Sequence, residues 1–414
     1  MHITMRTLAV LALAAGLARA AGQDDAVFST WLGGPEAEEA LTAAVVLVDG
    51  SILLGGYALD EGALVRLSAD GRKVLSRRRT EGPVTDMALD TDHNVLAVGG
   101  FGVVQISPDA QEIVWSAPTG GKGARVAAGP GGRVLVLADK TVTVFGAEGK
   151  RLGAWKVPGG YVEDVACDTA RARVFVTGFD NKRGHNNPVQ VAFVYAYDLG
   201  GNLLWKAYGW DGKDVDDRGL MADTRGYRLA MGAGKLYVVG ESAGGNTIWT
   251  RQARDLDAKA TMVKGDKYQH AFNTRANHIT YIGRLDPQTG ASDGGTLLLA
   301  RLSSNKGNTI RPRALAVDDD GNAYVGGMSA YGCPVSDGAF GAADPRGAWF
   351  CVFDPAFRRR YATTFGNGQT AAIALGPGVV VAVGNAKEGL VPHEAMQKEP
   401  GGGNDGWAVA LTRP

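Results

Sequence analysis

The sequence has no net charge to offer: 43 Lys and Arg balance 43 Asp and Glu over 414 residues. Without a basic field, nucleic acid and anionic membrane surfaces are not expected partners. Cysteine is scarce, at three residues, and no two are adjacent. Apolar runs long enough to span a bilayer are also missing, which leaves no integral membrane segment once an N-terminal leader is removed. What abounds is glycine, 60 residues without a collagen period, as many tight turns between short strands require.

The chain opens with the three parts of an export signal. Met1 to Thr7 carries Arg6, Leu8 to Leu17 is an apolar run of mostly Leu and Ala, and Ala18-Arg19-Ala20 supplies a small-x-small cleavage pattern. Residues 1–20 are therefore expected to be a signal peptide. The mature chain, 21–414, is expected to be soluble and secreted or periplasmic.

A phrase then recurs seven times. An apolar strand bearing a small residue enters a Gly- or Asp-rich turn, and a second apolar strand follows that usually ends at Gly. The clearest copy runs from Ala314 to Gly327. The marker alanines are Ala44, Ala88, Ala127, Ala166, Ala230, Ala316 and Ala374, spaced by 44, 39, 39, 64, 86 and 58 residues. The shorter spacings match a four-stranded propeller blade, and alternation within a unit suggests an antiparallel meander. Small residues on the marker strand suit the crowded axis of a radial array. Asp405–Leu411 resembles a third strand with no fourth after it, and Val27–Gly34 a fourth strand with nothing before it. Joined, they complete a ring without an open edge. The expectation is an all-β fold: a single seven-bladed β-propeller of four-stranded antiparallel blades, the last closed by strands from both termini.

Asp318–Gly327, followed by Cys333-Pro334-Val335-Ser336-Asp337-Gly338-Ala339-Phe340, resembles the SBBP repeat of bacterial seven-bladed propellers, as do Phe28–Gly34 and Trp407–Leu411. The resemblance implies a secreted or cell-surface propeller and brings no catalytic residues with it. Val194–Lys206 is similar to a blade strand of quinoprotein propellers. It occurs once, without the adjacent cysteine pair, and no quinone cofactor is expected.

Function is expected where the repeat is broken, because long loops carry binding sites. The largest excess is an insertion at about 242–295. Its Trp249, Arg251, Lys267, Tyr268, His270, Asn273, Arg275 and His278 combine planar rings, amides and cations suited to a glycan or protein ligand. The first reading is a binding scaffold whose ligand face is formed by the extended loops of blades four to six. The alternative is an enzyme, a lyase or hydrolase acting on an extracellular polysaccharide. In it His270 or His278 is the base, Tyr268 the acid, and Arg275 neutralises a uronate carboxylate. The plain alternative for the insertion is a hairpin that packs its own aromatics against the blade side. Asp211, Asp214, Asp216 and Asp217 form an acidic connection that either holds calcium or is a solvated turn. No other cofactor is expected. Asp318, Asp319, Asp320 and Asn322, like Asp90, Asp92 and Asn94, serve turn geometry. Cys333 and Cys351 lie in one repeat and are a candidate disulfide, while Cys167 reads as a small buried hydrophobe.

Overall fold

A computed structural model describes residues 25–35, 38–58, 61–270, 277–341 and 344–413. The leader, Asn273 and Arg275 lie outside the described residues. Seven antiparallel meanders surround one axis. Their innermost strands are Glu39–Val46, Val84–Leu89, Gly123–Ala128, Tyr161–Asp168, Thr224–Gly232, Ile310–Val317 and Gly368–Gly376. Each innermost strand packs against the next, and Gly368–Gly376 meets Glu39–Val46 to close the ring. The closing blade takes its third strand from Asp405–Thr412 and its fourth from Ala26–Leu32, with Trp31 opposite Trp407. No described helix is long and apolar enough to cross a membrane.

The core is a ring of seven apolar layers, one between each pair of neighbouring blades. Middle strands are therefore covered on both faces, and Val134–Ala138 and Gly347–Phe353 are buried throughout. This corrects the expected period of two. Alternation survives only where one face meets solvent, as on the outermost strand Val74–Thr80.

The marker alanines lie on the innermost strands as expected, although Val45 rather than Ala44 holds the equivalent place in blade one. Ala44, Ala88, Ala127, Ala166, Ala316 and Ala374 pack in the interblade layers. Most of the axis lining comes instead from the two residues just after a β-bulge that recurs in every innermost strand. The bulge also explains the closing glycines. Gly56, Gly99, Gly178, Gly240, Gly327 and Gly384 each stand opposite the residue that precedes it. There the two backbones approach so closely that a Cβ on Gly178 would run into the carbonyl oxygen of Tyr161. In blade three that place is Ala138, and the glycine has moved across the pair to Gly123.

An antiparallel meander sends its second-to-third connection, and its link to the next blade, to the same end of the sheet. Among the described residues the long connections therefore all leave from one face, after Arg183, Tyr208, Ser242, Leu298, Ser329 and Ala386. Among the described residues the opposite face carries only short turns. Asp90 and Asp318 organise two of these, each accepting the backbone N–H of the Asn four residues on. The turn reading holds for both.

Candidate functional site

The insertion is shorter than the sequence suggests, because Ile279–Leu285 and Ser292–Leu298 are regular strands of blade five. Residues 243–270 fold down over the outer edge of the ring. Met262–Val263 pairs in parallel with Gly295 and Thr296 on blade five's outermost strand. Gln269 Nε2 donates to Phe357 O on blade six at 2.6 Å, and Asp266 is paired with Arg359. Later loops repeat the device. Ser336 N donates to Ala362 O at 2.9 Å on blade six, and Ser29 N to His393 O at 2.7 Å on blade seven. Unpaired outer edges invite association, and these connections cover three of them.

That placement sorts the candidate residues. Trp249 is fully buried: it stacks on Tyr281 at 4.3 Å and donates Nε1–H to Glu241 O at 3.0 Å. It is a core residue of the layer between blades four and five. Arg251 lies on a short hairpin and donates to Asp257 O at 3.3 Å. The ring of Tyr268 sits between the Lys267 ammonium, 4.9 Å away, and the Arg359 guanidinium, 5.4 Å away. Both Lys267 and Tyr268 line a shallow cleft of about 540 Å³ with Arg301, Asn305 and Tyr331. His270 is exposed, and its carbonyl accepts Arg301 Nη2 at 2.6 Å. His278 belongs elsewhere, at the axial mouth, so the candidates do not form one constellation.

The acidic connection is likewise dispersed. Asp211 caps the helix Gly212–Asp216 by accepting Lys213 N at 3.0 Å. Asp216 accepts His185 N, and Asp217 meets His185 Nε2, both at 2.7 Å. No three acidic, His or Cys side chains gather as metal ligands among the described residues. Cys333 and Cys351 are free, buried thiols in one apolar layer, and burial pushes the Cys351 thiol up to about 12. Cys167 is half-buried in the layer between blades three and four.

The strongest polar cluster stands where the innermost strands of blades five and six begin, on the long-loop face. Glu241, at 2% side-chain exposure, is its centre. Arg225 Nη1 lies 2.7 Å from Oε1, His278 Nδ1 3.4 Å from Oε1, and Arg311 Nε 3.4 Å from Oε2. Arg311 Nη2 also meets His278 Nε2. A guanidinium only donates, so Nε2 is the acceptor and the imidazole proton sits on Nδ1, toward Glu241. Burial alone would raise the Glu241 carboxyl, but His278, Arg225 and Arg311 outweigh it and hold the group below its ordinary value. The two guanidiniums and the imidazole remain 19–29% exposed above it. Gln190 of blade four accepts Arg225 Nε at 2.6 Å, and Phe179 lies under the guanidinium at 5.4 Å. Tyr161, 49% exposed, stacks on Phe179 at 4.5 Å. Arg313 covers Tyr227 at 4.8 Å.

Sequence reasoning found His278 here and missed Arg225, Glu241, Arg311 and Tyr161. A signal existed: Arg225 and Arg311 stand at matching places, five residues before Ala230 and Ala316.

No protein-family model matches the chain, and no curated protein matches it by sequence. Solved structures do match in shape. A structure described as U3-55K aligns with a TM-score of 0.55 at 8% identity, over 93% of this chain and 99% of the other. The RRP9 WD40 repeats give 0.55 at 9%, over 95% and 99%. Hydrazine synthase of Kuenenia stuttgartiensis gives 0.51 at 10%, over 83% and 92%. At such identities the likeness shows architecture alone: the chain is a seven-bladed β-propeller of four-stranded antiparallel blades, closed by its two termini.

Proposed function

We propose that this chain is a secreted or periplasmic interaction scaffold that binds a carboxylate-bearing glycan at the mouth of the axis, beside blades four to six. One observation carries the reading. Arg225 and Arg311 present part-exposed guanidinium groups over the buried Glu241, and Phe179 links Arg225 to the exposed ring of Tyr161. Guanidinium forks match carboxylates, and a flat aromatic ring suits a sugar face. The leader pattern and the SBBP resemblance support the location. A lyase acting on the same polymer is the alternative, and His278 is its natural base. Arg311 occupies the Nε2 lone pair, however, and that favours binding over proton abstraction.

The test is thermal shift of the mature chain, 21–414, with polyuronates and neutral glycans. Polyuronate is expected to raise the melting temperature and Arg311→Gln to abolish the effect. An equal response to neutral glycans overturns the carboxylate recognition, and no response to either overturns the reading in favour of a protein ligand. Ultraviolet absorbance from new unsaturated ends in the polyuronate mixture would establish the lyase instead.

A further inference from the structure

Deeper along the axis lies a second polar site, distinct from the mouth. Two residues before each marker position, the seven innermost strands place Ala43, Asp86, Arg125, Asp164, Arg228, Ala314 and Ala372 around one cavity. Blades two to five thus supply four successive charges of alternating sign, and at the same position blades six, seven and one supply alanine. The cavity between the two walls measures about 170 Å³. At about 30 Å³ for each water, that is space for roughly five or six non-hydrogen atoms.

Interblade stitching explains part of this arrangement. Asp86 Oδ2 accepts Val126 N of blade three at 3.0 Å, and Asp164 Oδ2 accepts Leu229 N of blade five at 2.8 Å. Arg125 donates to Thr85 O at 3.1 Å and Glu163 O at 3.3 Å, and lies 3.7 Å from Asp164. Arg228 is different. Its hydrogen bond among the described residues is Nη1 to the adjacent Tyr227 O, at 2.8 Å. Arg228 lines the cavity with donors of its five-donor fork beyond that bond, and Ala314 of the next blade lines it too. The ring also closes through Ala314, Ala372 and Ala43 without any such charges, so closure does not require them.

We infer that this axial cavity binds a small zwitterion, an α-amino acid of glycine or alanine size, with its carboxylate on Arg228 and its ammonium toward Asp86 and Asp164. A lone anion would meet two carboxylates there and a lone cation two guanidiniums. Only a ligand carrying both signs answers the whole wall. Burial and the nearby charges agree with an underfilled site: burial pulls Arg228 down to about 10 and pushes Asp164 up to about 6.

Calorimetric titration of the mature chain with glycine, alanine, acetate and methylammonium tests this. Glycine or alanine should bind about tenfold or more tightly than either single-charge probe. Binding should vanish in Ala372→Leu, which fills the cavity from the uncharged wall, and in Arg228→Gln. If Arg228→Gln fails to fold, Ala372→Leu decides. The polyuronate response at the mouth should survive Ala372→Leu, which separates the two sites. Absence of zwitterion binding, equal binding of acetate, or binding that persists in Ala372→Leu overturns the inference and leaves the cavity to water.

Discussion

Asp164→Asn should make this protein more stable at neutral pH, although it deletes a charge that lies 3.7 Å from an arginine. Asp164 is only 5% exposed, and burial lifts its carboxyl from the ordinary 3.8 to about 6, beyond what Arg228 and Arg125 recover. The folded state therefore holds the proton more tightly than the unfolded chain does. The stability this group contributes is complete below pH 3.8 and is lost as pH rises through about 6. At about 1.4 kcal/mol for each pH unit, the ionised group costs about 3 kcal/mol above pH 7. Asparagine mimics the protonated acid and keeps an oxygen for the Leu229 N–H. Denaturant unfolding of both proteins at pH 8 and pH 4 measures the difference. The variant should gain about 3 kcal/mol at pH 8, or about 3 °C for a chain of this size, and close to nothing at pH 4. A variant less stable than the parent at pH 8 would refute the argument, and would mean that the alternating charges hold the axis together.

Glu241→Gln should show the opposite sign. The Glu241 carboxyl is held below its ordinary 4.5, so its contribution is present above pH 4.5 and lost as pH falls through the folded value. The variant should lose about 2–3 kcal/mol at pH 7, with the gap closing below pH 4 in the same unfolding assay. Trp249→Ala should cost about 3–5 kcal/mol and loosen residues 243–270, read by denaturant melts and by proteolysis of that segment. Gly178→Ala should cost about 2–3 kcal/mol because the new methyl meets the Tyr161 carbonyl, whereas Gly153→Ala, with open space around it, should change stability by less than about 0.5 kcal/mol.

The fold was legible because its rules are local and repeated. Marker strand, Asp-Gly turn and closing glycine each answer a backbone demand that every blade imposes afresh, and the split blade at the termini follows from ring closure. The insertion was harder to place. Its Trp249, Tyr268 and His278 look alike as candidates in sequence. The first fills the core, the second packs between cations on a blade edge, and the third faces the axial mouth. Their spacing carries no helical or strand period that would set a common direction. The site itself lies in columns of the repeat, not in its exceptions. Arg225 with Arg311, and Asp86 with Arg125, Asp164 and Arg228, occupy matching positions of different blades.

Sequence alone thus determined the architecture, since blade number depends on contacts between neighbours in the chain and closure on complementary strands at its two ends. Only the tertiary structure decided which polar residues meet. Arg225 and Arg311 are 86 residues apart, and only the stacking of adjacent blades around the axis brings them to one carboxylate.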